Sequence, residues 1–105
     1  MVYYPDEIEY SDKFTDNIYE YRHVTLPERY LKKFNTQKLL TEGEWRDLGV
    51  QQSKGWEHFL IFKKEPHILN FRRPLGTDPN TGRIPDDIKE KVKEWEIYKK
   101  EVLNR

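Results

Sequence analysis

Three histidines, His23, His58 and His67, are the residues of this 105-residue chain best suited to hold a metal or pass a proton at neutral pH. Their spacing does not support a metal site. No pair stands at i and i+4, so no helical turn would aim two imidazoles at one ion, and there is no cysteine to complete a tetrahedral set. Covalent catalysis fares no better, because the chain has neither a nucleophile elbow nor a phosphate-gripping glycine loop. No catalytic residue, metal ligand or cofactor is therefore assigned. The absence of cysteine also excludes disulfides, which fits an intracellular chain. Lys and Arg together number 19, as do Asp and Glu, so the formal net charge is zero. That balance argues against a nucleic-acid binder and leaves room only for a local basic patch. What remains is an aromatic set of seven Tyr, five Phe and three Trp in a chain that is 36% charged. Such rings compensate for a short supply of aliphatic side chains, each burying a large surface.

The elements that must position these groups can be read from periodicity. The length suits one domain with one core. The N-terminus has no basic stretch followed by an apolar run, so no secretory signal is expected, and no segment approaches the length of a membrane span. In Ile18–Val24 the tyrosines and His23 alternate with Glu20, Arg22 and Val24, which predicts a strand with those two sets on opposite faces. Asp16-Asn17 supplies turn chemistry for a hairpin running from about Glu9 to Val24. Pro27 opens a short helix to about Phe34. Thr41 and Glu44 have capping-box spacing ahead of a second helix, with Trp45 and Leu48 on its buried side and Gly49 as its stop. Trp56–Phe62 and Ile68–Arg72 read as two further strands, the last stopped by Pro74. Together these give an α+β domain with a four-stranded antiparallel sheet and two short helices.

Within the third of these strands, Phe59, Leu60, Ile61 and Phe62 are consecutive large apolar residues. Neighbouring side chains on a strand point to opposite faces, so a sheet covered on one side would leave some of them bare. Either a partner surface takes the surplus or the domain's own helices cover both sides. Beyond this, Gly76–Gly82 is turn-rich, and Pro85-Asp86-Asp87 opens a helix with a stripe of Ile88, Val92, Trp95, Tyr98 and Val102. The expected organisation is a domain over residues 1–75, a linker over 76–84 and a C-terminal extension helix over 85–104. The stripe could pack on its own domain, dock on a partner or self-associate, or order only when bound.

The segments Tyr10–Lys13, Tyr19–Pro27, Glu44–Trp56 and Glu65–Pro74 resemble, in order and in spacing, the signature blocks of the cyclin-dependent kinase regulatory subunits (the Cks family). The resemblance covers roughly Glu9 to Leu75. It implies a non-catalytic cell-cycle adaptor, resident in cytoplasm and nucleus, that binds a cyclin-dependent kinase. It also implies a pocket for phosphorylated Thr-Pro sites of substrates, whose matching residues here are Lys13, Arg22, Ser53, Trp56 and Arg73. Their chemistry suits a phosphate: guanidiniums can fork onto its oxygens, a lysine adds charge, and a hydroxyl and an indole N–H are further donors. Taken one at a time, without the resemblance, the arginines read as solvated strand charges, Trp56 as core and Ser53 as a loop or capping residue. The positions corresponding to the kinase-docking face are Phe14, Phe59, Leu60, Ile61, Phe62 and Glu65. No nucleic acid or membrane partner is implied.

Two positions depart from the family pattern. The hinge between the last two strands, Phe62-Lys63-Lys64-Glu65-Pro66-His67, has Lys64 where a second proline is usual, and Asn70 stands where an apolar residue is common. A hinge strained by two prolines stores energy that exchange of the last strand between chains can release, and Lys64 should relax it. The chain is therefore expected to be mainly a monomer, with a strand-swapped dimer as its minor form. Light scattering at micromolar concentration should return the mass of one chain; a stable dimer would overturn the expectation.

Overall fold

The computed structural model describes residues 7–103; the first six residues of the expected 1–75 domain and the last of the 85–104 extension lie outside it. Its centre is one antiparallel pairing. Strand β3 (Tyr19–Thr25) runs against β5 (Ile68–Pro74) over seven residue pairs, from Tyr19 opposite Pro74 to Thr25 opposite Ile68. Strand β4 (Glu57–Ile61) adds to the far side of β5, and β1 (Glu9–Tyr10) and β2 (Phe14–Thr15) both pair with the free side of β3. The α+β class and antiparallel sheet are as the sequence predicts, with five strands rather than four. The extra strand arises because the N-terminal ribbon is broken at Ser11–Lys13. Ser11 sits against His23, exchanging N–H to carbonyl (2.9 Å) and N–H to hydroxyl (2.9 Å) bonds, whereas Phe14 sits against Tyr21. Asp12 and Lys13 thus face the single residue Arg22, a two-against-one bulge that periodicity does not announce. Asp16 closes the following turn, its carboxylate accepting the N–H groups of Ile18 and Tyr19 at 2.7 Å each.

The β3–β5 register sorts side chains by face. Glu20 with Arg73, Arg22 with Phe71 and Val24 with Leu69 lie on one side; Tyr21 with Arg72 and His23 with Asn70 lie on the other. The first side carries the core. Val24, Leu69 and Phe71 pack there with Trp45, Val50, Leu26, Tyr30, Leu40 and Trp56, all buried. Trp45 meets Phe71 edge to face with ring centroids 5.2 Å apart. Trp45 is delivered by helix α1 (Glu42–Asp47), which begins with the expected capping box: the Thr41 hydroxyl accepts the Glu44 N–H, and the Glu44 carboxylate accepts the Thr41 N–H. The hydrogen bond from Lys38 and that Thr41 N–H hold the Glu44 carboxyl down at about 2. Gly49 turns the chain after α1 at φ 102°, a left-handed conformation that glycine adopts without a steric penalty. The segment after Pro27 forms a 3-10 helix, Glu28–Lys33, rather than an α-helix.

The last helix, α2 (Asp86–Leu103), leaves the sheet core at Pro74 through a turn-rich loop and returns beside β5. Its stripe is buried only at the start. Ile88 is buried and Val92 half-buried, whereas Trp95, Tyr98 and Val102 are exposed by 36%, 55% and 40%. Glu96 approaches Arg72 at 4.0 Å, and a cleft of about 300 Å³ between α2 and the sheet is lined by Tyr19, Tyr21, Arg72, Trp95 and Lys99. The β4–β5 hinge is two successive turns, Glu65 N–H to Phe62 O (3.1 Å) and Ile68 N–H to Glu65 O (3.0 Å), with Lys64 exposed.

His58 ties β4 to the chain ahead of α1. Its Nδ1 accepts the Leu40 N–H at 2.9 Å inside the core, which requires a neutral ring protonated at Nε2. Burial pushes the imidazole below its ordinary value. A depressed histidine binds its proton more readily when unfolded, so stability holds above the unfolded value near pH 6.5 and falls as pH drops through it toward the folded value. The melting temperature should therefore decline between pH 7.5 and pH 5.5 in the wild type. His58→Asn, whose carboxamide oxygen can still accept from Leu40, should flatten that decline, and equal slopes in the two proteins would remove His58 as its cause.

Candidate functional site

On the core side of the sheet, at the end away from Val24, the apolar packing gives way to charge. Arg73 is 6% exposed. Its Nε donates to the Glu20 carboxylate at 2.8 Å across the β3–β5 pair, and its NH1 donates to the Ser53 hydroxyl at 2.6 Å. The guanidinium lies 4.5 Å from the centroid of the Trp56 ring. Arg22, two residues along β3 from Glu20 and on the same face, brings its guanidinium to 5.4 Å from that same ring and 5.8 Å from the Tyr10 ring. Both distances fall within the range of cation–π attraction. Lys13 is exposed in the bulge that spans Arg22. Two guanidiniums thus share one indole, with the lysine carried on the chain directly across from Arg22.

The hydrogen-bond account of this cluster is incomplete in a particular way. Among the described residues, the donors Arg22 Nε and Trp56 Nε1 of this cluster are buried without a partner, as are both polar atoms of the Gln52 amide in the loop before Ser53 and His58 Nε2 in the core. A buried donor left unpaired costs about 1–3 kcal/mol, so the Arg22 and Trp56 N–H groups are unfavourable where they stand unless an acceptor meets them. An oxyanion offers several lone pairs and a charge opposite to both arginines. Glu20 has the reverse sign, but it is committed to Arg73, with their side chains 16% and 8% exposed. A pair this buried is weak support for stability, and its evident effect is to fix the direction of the Arg73 fork.

All five anion-binding candidates lie in or beside this cluster. The sequence reading missed Glu20, Tyr10 and Gln52. The alternation that placed Glu20 and Arg22 on one face was the available signal for the first. Gln52 precedes Ser53 in a loop that looks merely polar, and Tyr10 is tied to that loop by the Gln51 N–H donating to its hydroxyl at 2.8 Å. Neither connection has a sequence periodicity.

The opposite face of the sheet is aromatic and largely bare. Phe14 stacks on Tyr21 (5.4 Å) and meets His23 edge-on (5.4 Å), Tyr21 meets Phe59 (5.7 Å), and His23 meets Phe62 (6.1 Å). Phe14, Leu60 and Phe62 are 50%, 45% and 40% exposed. A bulge in β4 accounts for the run of apolar residues there. His58 opposes Phe71 and Leu60 opposes Asn70, which leaves Phe59 as the extra residue. Phe59 and Leu60 therefore both serve the bare face, while Ile61 opposes the core residue Leu69 and turns the other way. Glu65 is exposed in the hinge. Asn70 is 2% exposed and its amide donates to the Leu60 carbonyl at 3.3 Å, so its polarity is satisfied within the sheet. Burial and the hydrogen bond to Asp16 push the Tyr21 phenol up to about 12. The three histidines are dispersed: His23 on this face, His58 in the core and His67 ahead of β5, where its carbonyl accepts the Leu26 N–H.

Comparison with known proteins agrees with the extent of this two-faced domain. The family model described as cyclin-dependent kinase regulatory subunit matches residues 8–75. The chain is 57% identical over 68 residues to the cyclin-dependent kinases regulatory subunit of Drosophila melanogaster, covering 65% of this chain and 92% of that protein. It is 58% identical over 71 residues to cyclin-dependent kinases regulatory subunit 2 of Xenopus laevis, covering 68% and 90%. The identity to cyclin-dependent kinases regulatory subunit 2 of Arabidopsis thaliana is 54% over 70 residues, covering 67% and 84%.

If the unpaired donors await an oxyanion, inorganic phosphate should raise the melting temperature relative to chloride at matched ionic strength. Saturation a hundredfold above Kd corresponds to about 2.7 kcal/mol. Arg22→Ala/Arg73→Ala should start lower, since Glu20 loses its partner, and should show no phosphate-dependent rise. The same rise in both proteins would place the anion elsewhere.

Proposed function

The chain belongs to the cyclin-dependent kinase regulatory subunit family, and from that premise we propose that it is a non-catalytic adaptor that docks substrates already phosphorylated at Thr-Pro sites onto the kinase it binds. The observation that carries this reading is the convergence of Arg22 and Arg73 on the Trp56 ring, beside buried donors with no acceptor. The phosphate lies among Arg22, Arg73, Ser53 and the Trp56 N–H, with Lys13 closing from the bulge. The kinase lobe covers the aromatic face, where Phe14, Phe59, Leu60 and Phe62 offer an apolar surface and Glu65 a charge at its rim. Ile61, opposite Leu69 on β5, turns to the other side of the sheet and lies outside this surface.

The two functions are separated by the thickness of one sheet, which is why both can be served at once. One face holds the first phosphate while the other holds the kinase, so further sites on the same substrate meet the active centre at high effective concentration. No bond is made or broken by the adaptor itself. Asn70 supports retained docking: an inward-turned amide leaves the bare face apolar despite the polar residue.

Affinity capture tests both faces together. Wild type and Arg22→Ala/Arg73→Ala should both retain the kinase, and only the double variant should lose phosphorylated partners. Each arginine lost singly should weaken a phosphothreonine-proline peptide by about one to two decades, the worth of a charge-assisted hydrogen bond. Peptide binding should also weaken below about pH 6, where phosphate becomes a monoanion, and with rising salt. Failure of either protein to capture a kinase would leave a phosphopeptide module without kinase docking.

A further inference from the structure

The loop after Pro74 lies beyond the matched family region, yet it packs on the loop that supplies Ser53. Lys54 donates its N–H to the Pro79 carbonyl at 3.0 Å. Gly55 has φ 98°, and a Cβ there would meet Thr77 Cγ2 at 2.5 Å and lie 3.9 Å from Arg73 Cβ. A Cβ on Gly82 would lie 3.6 Å from Lys54 Cβ. Three contacts thus join residues 76–82 to the two residues that follow Ser53, and Gly55 lies close to both Thr77 and Arg73.

The supporting loop is itself tightly built. Thr77 is buried, and its hydroxyl donates to the Pro74 carbonyl at 2.6 Å. The Asp78 carboxylate accepts the N–H groups of Asn80 (2.8 Å) and Thr81 (3.1 Å), while its backbone pairs with Gly82 (2.8 Å) and Arg83 (2.8 Å). Those bonds fix where the Pro79 carbonyl points. The connection to the anion cluster then runs from Asp78 through Pro79 to Lys54, on to Ser53, and from the Ser53 hydroxyl to Arg73.

We propose that Thr77 and Asp78 are positioning residues for the anion site: the extension braces the Ser53 loop and so holds the Ser53 hydroxyl and the Arg73 fork in binding geometry. The proposal rests on the phosphate reading above and gives the 76–82 segment a part in that site. Neither residue touches the ligand, and both act through the order of Ser53.

The test titrates a phosphothreonine-proline peptide into the full chain carrying Asp78→Ala or Thr77→Ser, each with Ser53 intact and with Ser53→Ala. Thr77→Ser removes only the methyl group against Gly55 and keeps the bond to Pro74, so it reports even where Asp78→Ala melts the loop. Each variant should weaken binding roughly two- to tenfold, the span of one neutral hydrogen bond. In the Ser53→Ala background that loss should vanish, because the brace has nothing left to hold. Kinase capture should be unchanged throughout. Unaltered peptide affinity in folded variants, or the same loss with and without Ser53, would overturn the brace while leaving the phosphate reading intact. A wild-type chain that does not bind the peptide would overturn both.

Discussion

The seven-residue register between β3 and β5 is the constraint on which the rest of the molecule depends. It sets Glu20 beside Arg73 and Arg22 beside Phe71 on one face, and Tyr21 and His23 on the other. A slip of β3 by one residue would turn its own side chains over, sending Glu20 and Arg22 to the aromatic side, away from Arg73, and Tyr21 into the core. Nothing so drastic can be tolerated, because Val24, Leu69 and Phe71 on the same strands are fully buried and hold the register by apolar packing. The core therefore determines where the charges meet, although the charges contribute little to the core.

The two faces solve opposite problems. On the core side, cations are brought into a buried setting and kept there by a carboxylate, a hydroxyl and an indole ring. On the far side, rings are left in water with few polar groups among them, and those few are turned inward or hydrogen-bonded, as with Asn70 to Leu60 and Tyr21 to Asp16. Exposed contiguous apolar surface of this kind is unusual for a chain acting alone and is the ordinary mark of a partner. The extension helix reaches the edge of this face through Arg72 and Trp95, with an outer stripe that its own domain covers only as far as Val92.

Much of the architecture was legible because it rests on local rules. The capping box at Thr41, the stop at Gly49, the alternation in β3 and the helix after Pro85 each follow from spacing along a few residues. The bulges were not legible. Asp12 and Lys13 against Arg22, and the extra Phe59 in β4, arise from how two strands fit each other, so a single strand carries no sign of them. The puzzle of four consecutive apolar residues was visible, but its resolution needed the partner strand. The same holds for Glu20 and Tyr10, whose partners Arg73 and Gln51 lie 53 and 41 residues away. The anion candidates themselves came from family resemblance; Arg73 read alone is an ordinary surface charge, whereas in the fold it is nearly enclosed.

The bulge at Phe59 has one more consequence. Strand β4 is the outermost strand on its side of the sheet, and an outer strand with a straight run of unpaired N–H and C=O groups invites another chain to pair with it. The extra residue bends β4 after two regular pairs, and charged Glu57, Lys63 and Lys64 flank the short apolar stretch. Irregularity and charge together make this border a poor template for a growing stack of strands. A chain obliged to display a greasy sheet face is thereby guarded against aggregation along its open edge.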